Sequence, residues 1–452
     1  MTRSLRVAVV GSGPSGIYAA DSLTDQTDIP VTVDVIDMLP VPYGLVRYGV
    51  APDHLSIRSV RGTLQKVLDR DSVRFLGNVE VGRDVSVAEL HTFYDAVIFT
   101  YGAASDRRLG IPGEDLEGSI AATDLVNWYC GHPSAKTELI ESAIAAPTSV
   151  AVIGVGNVAV DVTRVLAKTP AELEYTDMPQ HVLEALAATR ITDVHLLGRR
   201  GPAQASFTTK ELRELGELEA TEVIVNPVDV VLDPVSQATV DSDRVMARNV
   251  EVVREWSTRE STGKPRRLHV RFFAKPVEIL GTDHVEAIVI ERTTIDENGG
   301  AVGTGVLETI PVQLVVRSVG YRGLPLAGLP FDTERHVVPN ADGRVVSDGV
   351  AVPGEYVAGW IKRGPSGIIG TNKKDASATV ASLLADAPTL APAAEPEREA
   401  LAALLQSRGV GVITYQGWEA IDAAEIALGA SHGRDRTTIH DRDELIRVGS
   451  TS

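Results

Sequence analysis

The chain of 452 residues is longer than one hydrophobic core normally supports, so two or three domains are expected. Hydrophobic residues at 44% and charged residues at 23% are ordinary for a globular protein, and no apolar run approaches the roughly 18 residues of a membrane span. A net charge of −18 disfavours nucleic acid as a partner, and the single cysteine, Cys130, excludes an intramolecular disulfide, a CxxC redox pair and a cysteine-held iron–sulfur cluster. No metal site is expected, and any redox chemistry must run on a bound organic cofactor.

In chain order, "MTRSLRVAVVGSGPSG" has a basic start and a short apolar stretch that loosely resembles a signal peptide. The apolar part is too short and runs into a glycine loop with no cleavage site. Arg6–Val10 is therefore predicted to be the first strand, in a cytoplasmic protein. Gly11-Ser12-Gly13-Pro14-Ser15-Gly16 forms a complete GxGxxG between that strand and an amphipathic helix over Ile17–Leu23. Such glycines let the backbone approach a pyrophosphate, while the helix N-terminus supplies N–H donors and partial positive charge. The next strand, "VTVDVID" (31–37), ends in Asp37, an acid suited to hold a ribose hydroxyl or, more plainly, to shape a turn. "YDAVIFTYGAASDRRLGIPGE" (94–114) reads as a strand, a Gly-Ala turn and a loop.

The chain then echoes itself. "TSVAVIGVGNVAVDVTRVL" (148–166) is again strand, glycine turn and helix, with Gly154-Val155-Gly156-Asn157-Val158-Ala159 as GxGxxA. Val- and Ile-rich strands alternating with helices predict two doubly wound units with parallel sheets. In the second unit an insert (169–190) delays the second strand, which ends "VHLLGRRGP" (194–202). Arg199 and Arg200 stand where an acid is usual. Two guanidiniums can clamp the 2′-phosphate of NADP(H) through charge-assisted hydrogen bonds, or simply form a solvated basic loop. An acid in one unit and arginines in the other imply two different nucleotides, of which FAD with NADPH is the common pairing.

Alternating runs within 266–320, "RRLHVRFFAKPVEIL", "HVEAIVIERTTI" and "VLETIPVQLVVRSVGY", separated by turns such as "DENGG" (296–300), predict an antiparallel meander attached to the second unit. Further on, "GEYVAGWIKRGPSGIIGTNKKDA" joins a short strand, Tyr356–Ala358, to a glycine turn and a helix. Trp360 suits stacking on a planar ring or core packing, and the N–H groups of Gly367–Ile369 suit the polar edge of such a ring. "PTLAPAAEPEREA" (388–400) reads as a linker, and pattern alone assigns no role to the residues after it.

Together "VAVVGSGPSGIYAA", "MLPVPYGLVRYGVAPDH", "YGAASDRRLGIPGEDL", "VIGVGNVAVDV", "LLGRRGPAQASFTTKELREL", "LVVRSVGYRG" and "GWIKRGPSGIIGTNKKDA" closely resemble the adrenodoxin reductase type of NADPH–ferredoxin reductase. The resemblance implies an α/β fold of two Rossmann-like domains. A discontinuous FAD domain (1–105 and 321–452, the latter with the C-terminal segment) would flank an inserted NADP domain (106–320). It implies Ser15, Asp37, Leu45, Val81, Trp360, Gly367, Ile368 and Ile369 around FAD, beside the loop glycines Gly11, Gly13 and Gly16. Arg107, Gly154, Gly156, Asn157, Val158, Arg199, Arg200 and Glu211 would surround NADP(H), with Gly367 near both. His54 and Glu214 match a proton relay beside the flavin. Apart from the resemblance, His54 is a loop histidine, and Thr208-x-x-Glu211 reads as a capping box stapled by Phe207 and Leu212, a reading that competes with the NADP role of Glu211.

The implied reaction carries electrons from NADPH through FAD to a small acidic ferredoxin; an NADPH-dependent quinone or dye reductase is the alternative. An acidic chain needs a local basic patch for such a partner, with Arg58, Arg61, Lys362, Arg363, Lys373 and Lys374 as candidates. The chain shows neither the iron–sulfur segment of some relatives nor the targeting sequence of the mitochondrial ones. A free-standing bacterial-type enzyme with a separate carrier is expected.

Overall fold

The computed structural model describes residues 3–367 and 369–451. They form two compact units, one from the chain up to Ser105 and from Gly320 onward, the other from Asp106 to Val319.

In the first unit the strand Leu5–Val10 is buried at every position. A parallel sheet covered on both faces demands such a continuous apolar run in place of alternation. This strand pairs in parallel with Val31–Ile36 on one side and Ala96–Phe99 on the other. Val73–Leu76 follows beyond Val31–Ile36, and Val350–Val357 joins beside Ala96–Phe99, also in parallel. Antiparallel strands at Arg344–Ser347 and Asn340–Ala341 extend that edge. The strand order reverses direction at Leu5–Val10, the place where doubly wound sheets bind ligands. The helix Pro14–Asp25 starts with proline in its first turn and buries Ile17, Ala20 and Leu23. It packs on the helix Ile369–Asp386, with Ser22 and Ser377 hydroxyls 2.8 Å apart.

The stretch 388–400 is not the free linker its composition suggests. Arg6, a buried residue of the strand Leu5–Val10, donates to the carbonyls of Pro396 (2.8 Å) and Arg398 (3.0 Å), and Asp95 accepts from the amide of Ala393 at 2.9 Å. Its backbone is irregular because it runs over side-chain donors instead of a neighbouring strand. Beyond it lie the helices Ala400–Ser407, Tyr415–Ser431 and Arg442–Gly449.

Among its described residues the second unit carries a six-stranded parallel sheet. Ser149–Ile153 lies between Asp193–Leu197 and Leu314–Arg317; Arg266–Arg271 and Thr221–Val225 follow on one side and Ser119–Ala121 on the other. The expected meander is thereby shortened. Only Ala274–Leu280, Ala287–Ile295 and Ala301–Pro311 pair antiparallel, whereas Arg266–Arg271 and Leu314–Arg317 belong to the parallel sheet. Burial along Arg266–Arg271 alternates much as in an antiparallel strand, so local pattern does not reveal the partner's direction. The chain leaves the sheet at Phe273, whose φ is +55°, and the amides of Phe273 and Ala274 donate to the carbonyls of Arg200 and Gly198.

Candidate functional site

The first glycine loop emerges where Val10 registers with Ile36, and the amide of Gly11 donates to the Ile36 carbonyl at 2.7 Å. A Cβ on Gly16 would fall 1.9 Å from the Gly11 carbonyl oxygen, so the helix begins directly on the turn. Gly13, by contrast, meets nothing nearer than the Gly44 Cα at 4.0 Å. That open cradle at the N-terminus of Pro14–Asp25 fits a pyrophosphate. Asp37 follows the strand and folds back on the loop. One carboxylate oxygen accepts from the Ser12 amide (2.7 Å) and hydroxyl (2.6 Å), the other from the Leu39 amide (2.9 Å). Burial pushes its carboxyl above the ordinary range, against the pull of these hydrogen bonds.

Several expected residues converge on this loop. Ser15 is buried against Gly359, where a Cβ would lie 2.3 Å from its hydroxyl, so the late strand–glycine–helix element meets the first loop. The Gly359 amide donates to Asp375 at 2.6 Å, and Lys362 pairs with the same carboxylate at 2.9 Å. Sequence reasoning missed Asp375; its signal was an acid following Lys373 and Lys374. Trp360 tilts 32° to Tyr321 at 5.5 Å, and its indole N–H is buried without a partner among the described residues. Leu45 is 39% exposed at the start of the one-turn helix Leu45–Tyr48, next to Gly44. Val81 is buried near the chain that hydrogen-bonds Asp37 through the Val79 amide. His54 is buried at the N-cap of Leu55–Arg58. Gly367 (φ +83°) precedes Ile369, which heads its helix, and Ile368 lies outside the described residues.

The second loop repeats the geometry at Ile153 and Leu197, with the Gly154 amide donating to the Leu197 carbonyl at 2.9 Å. Gly154 has φ +130°, and a Cβ there would lie 2.1 Å from the Ser318 carbonyl oxygen. Gly156 and Val158 are half-buried in the loop and its helix, Asn157–Ala167. Past the second strand the backbone is fixed: Thr293 donates to the Arg199 carbonyl (2.8 Å) and Phe273 to that of Arg200 (3.1 Å). Both guanidiniums, however, carry no hydrogen bond or ion pair among the described residues, and Arg199 is exposed. Two unspent cations on a fixed backbone suit a 2′-phosphate.

The capping box at Thr208 does not form. Its side chain makes no cap bond, and its amide donates to Asn157 at 2.9 Å, which removes the donor Glu211 needed. Glu211 is instead buried with one carboxylate oxygen unpartnered among the described residues, although Phe207 and Leu212 are buried as expected. Arg107 is exposed on the loop that opens this unit. Glu214 pairs at 3.3 Å with Arg164, a buried guanidinium that also pairs with Asp161 at 2.9 Å.

Of the six cations expected to face a partner, four are half-buried and hold the first unit. Arg58 donates to the Arg47 carbonyl, Arg61 approaches Asp422, Lys362 pairs with Asp375, and Arg363 donates to Asn372. Lys373 and Lys374 are exposed. Long side chains near irregular backbone are drawn to its carbonyls and acids, which composition does not reveal.

A family model described as pyridine nucleotide-disulphide oxidoreductase matches residues 5–215. The NADPH-ferredoxin reductase FprA of Mycobacterium leprae is 44% identical, covering 98% of this chain and 98% of its own. The mitochondrial NADPH:adrenodoxin oxidoreductase of Arabidopsis thaliana is 37% identical over 99% of this chain and 96% of its own. The solved structure of Mycobacterium tuberculosis FprA in complex with NADPH superposes with a TM-score of 0.92 at 44% identity, covering 99% of this chain and all of that one. No helix among the described residues is long and apolar enough to cross a membrane.

Proposed function

The chain belongs to the adrenodoxin reductase type of NADPH–ferredoxin reductases, and from that membership we propose how its residues divide the work. The protein is an FAD-dependent oxidoreductase that passes electrons from NADPH to a ferredoxin-type carrier. Bound FAD supplies the exchange between a hydride and single electrons, and the chain supplies binding and orientation. Cys130, the chain's one cysteine, is buried, so the dithiol chemistry in the family model's name has no basis here.

In this reading the unit built from both ends of the chain holds FAD. The Gly11–Gly16 loop takes its pyrophosphate, Asp37 its ribose, and Leu45, Val81, Trp360, Gly367 and Ile369 line its ring. The unit from Asp106 to Val319 holds NADP(H), with Gly154–Val158 on the pyrophosphate, Arg199 and Arg200 on the 2′-phosphate, and Arg107 and Glu211 beside the nucleotide. The orphaned carboxylate oxygen of Glu211 and indole N–H of Trp360 support such occupancy, since buried polar groups normally have partners. His54 manages protons linked to redox change, and Glu214 is held in place by Arg164. The likeness to bacterial FprA supports a cytoplasmic location.

The observation that carries the reading is the contrast between the acid Asp37, anchored by the first loop, and the two arginines past the second strand of the other unit, whose guanidiniums are unbonded among the described residues. Anaerobic titration with NADPH and NADH, followed by ferredoxin-coupled dye reduction, tests it. Bleaching of a bound flavin by NADPH, with electrons reaching ferredoxin, is the expected result. A colourless protein, or equal use of both nicotinamides, would count against it.

A further inference from the structure

The C-terminal helices enclose a buried cluster of charges that none of the assigned roles uses. Glu425, within the helix Tyr415–Ser431, is completely buried. Its carboxylate accepts from both terminal nitrogens of Arg47, from Arg436 at 2.9 Å and from the amide of Ile439 at 2.9 Å. Arg436 also pairs with Asp422 at 2.8 Å. The Arg47 guanidinium lies over the rings of Tyr48 (4.9 Å) and Trp418 (5.4 Å), and Trp418 meets Tyr43 edge to face at 5.6 Å.

Arg47 follows Leu45 in one short helix and precedes His54 on the same segment. No strand or long helix stiffens this stretch, and its entry is a turn with φ +86° at Tyr43 and +48° at Gly44. One end is tied to the first glycine loop, where the Tyr43 amide donates to the Ser12 carbonyl at 3.0 Å. A further tie is the Arg47–Glu425 pair. An apolar contact would hold the segment as well in free energy, because burying two charges offsets much of their attraction. What the forked pair adds is a fixed distance and direction.

We propose that Glu425 is a positioning residue: through Arg47 it sets the segment that presents Leu45 and His54 to the flavin, which makes the C-terminal helices part of the redox site. This rests on the assignment of Leu45 and His54 to the flavin. In the holoenzyme, Glu425→Gln shifts the visible flavin spectrum and weakens FAD binding about tenfold, the effect of one lost charge-assisted contact. Because that variant leaves Arg47 buried without its counter-charge, Arg47→Met/Glu425→Leu provides the second reading. It recovers part of the thermal midpoint, because Arg436 keeps Asp422 while the Ile439 amide loses its acceptor, yet it keeps the shifted spectrum and lowers kcat about tenfold with KM for NADPH within about twofold. A folded double variant with the wild-type spectrum, FAD affinity and kcat overturns the proposal. Leu45→Ala and His54→Gln separate the two levels. If neither alters the flavin spectrum or the pH profile, the flavin assignment falls and the proposal with it; if they do while the Glu425 variants are silent, the proposal alone falls.

Discussion

In the first unit the Gly11 amide donates to Ile36 and the residue after that strand is Asp37; in the second, Gly154 donates to Leu197 and the residue after that strand is Gly198. Equivalent places in two copies of one architecture thus carry opposite chemistry. Asp37 turns its carboxylate onto Ser12 and Leu39. At Gly198 even a Cβ would come within 2.8 Å of the Val155 side chain, so an acid there is crowded out and the arginines follow, their guanidiniums unbonded among the described residues. The helices differ too, since Gly16 leaves no room for a methyl whereas the second loop accommodates Ala159, fully buried. In the proposed reading the sheet sets where a dinucleotide lies, and the residues just past the second strand set which one.

Removing the arginines should break the comparison most severely. Each charge-assisted bond contributes about 1.5–3 kcal/mol, so Arg199→Ala/Arg200→Ala should weaken NADPH binding a hundredfold or more and leave NADH little changed. Exchanging the third small residues comes next. Gly16→Ala must displace a helix, at about 1–3 kcal/mol, and should purify with substoichiometric FAD, while Ala159→Gly costs only about 1 kcal/mol of helix stability and keeps its flavin. Absorbance ratios of the purified variants decide this. Asp37→Asn keeps the shape and loses the charge on the Ser12 donors; FAD affinity should fall by about tenfold or less in fluorescence titration.

The smallest effect is in pH. Burial, reinforced by like charge on His269, whose ring lies 4.5 Å away, and on Arg271, lowers His195 in the second unit from 6.5 to about 3. The unfolded chain therefore takes up the proton first, so this contribution is complete above pH 6.5 and is lost as pH falls towards 3. Asp193 acts in the same direction at lower pH, because Arg267 and His269 outweigh its burial and hold it below the carboxylate range. Asp37 has the opposite sign: its raised carboxyl contributes below the ordinary carboxylate range, and that contribution is lost as pH rises through its folded value. Denaturant midpoints at about pH 7 and about pH 4.5 should fall on the acid side, and His195→Asn should flatten that fall.

The parts of this contrast that sequence made legible are those imposed by local backbone. Gly16 and Gly154 are required by close approach of their own loop or a neighbouring strand, and Arg199 and Arg200 stand at a place the preceding strand determines. The rest depends on partners distant in the chain. Arg266–Arg271 joined the parallel sheet through neighbours its alternation does not specify. Thr208 lost its capping box to Asn157, 51 residues earlier, and Glu425 meets Arg47 across 378 residues. Such pairs follow from topology and have no signature in either local segment.

The most direct measurement is equilibrium binding of 2′,5′-ADP and 5′-AMP, which differ only in the 2′-phosphate, to the flavin-loaded protein and to Arg199→Ala/Arg200→Ala. The wild type should prefer the 2′-phosphorylated nucleotide by about a hundredfold, and the double variant should bind both alike with an unchanged flavin spectrum. A wild type that binds both equally, or a preference that survives loss of both arginines, would contradict the account.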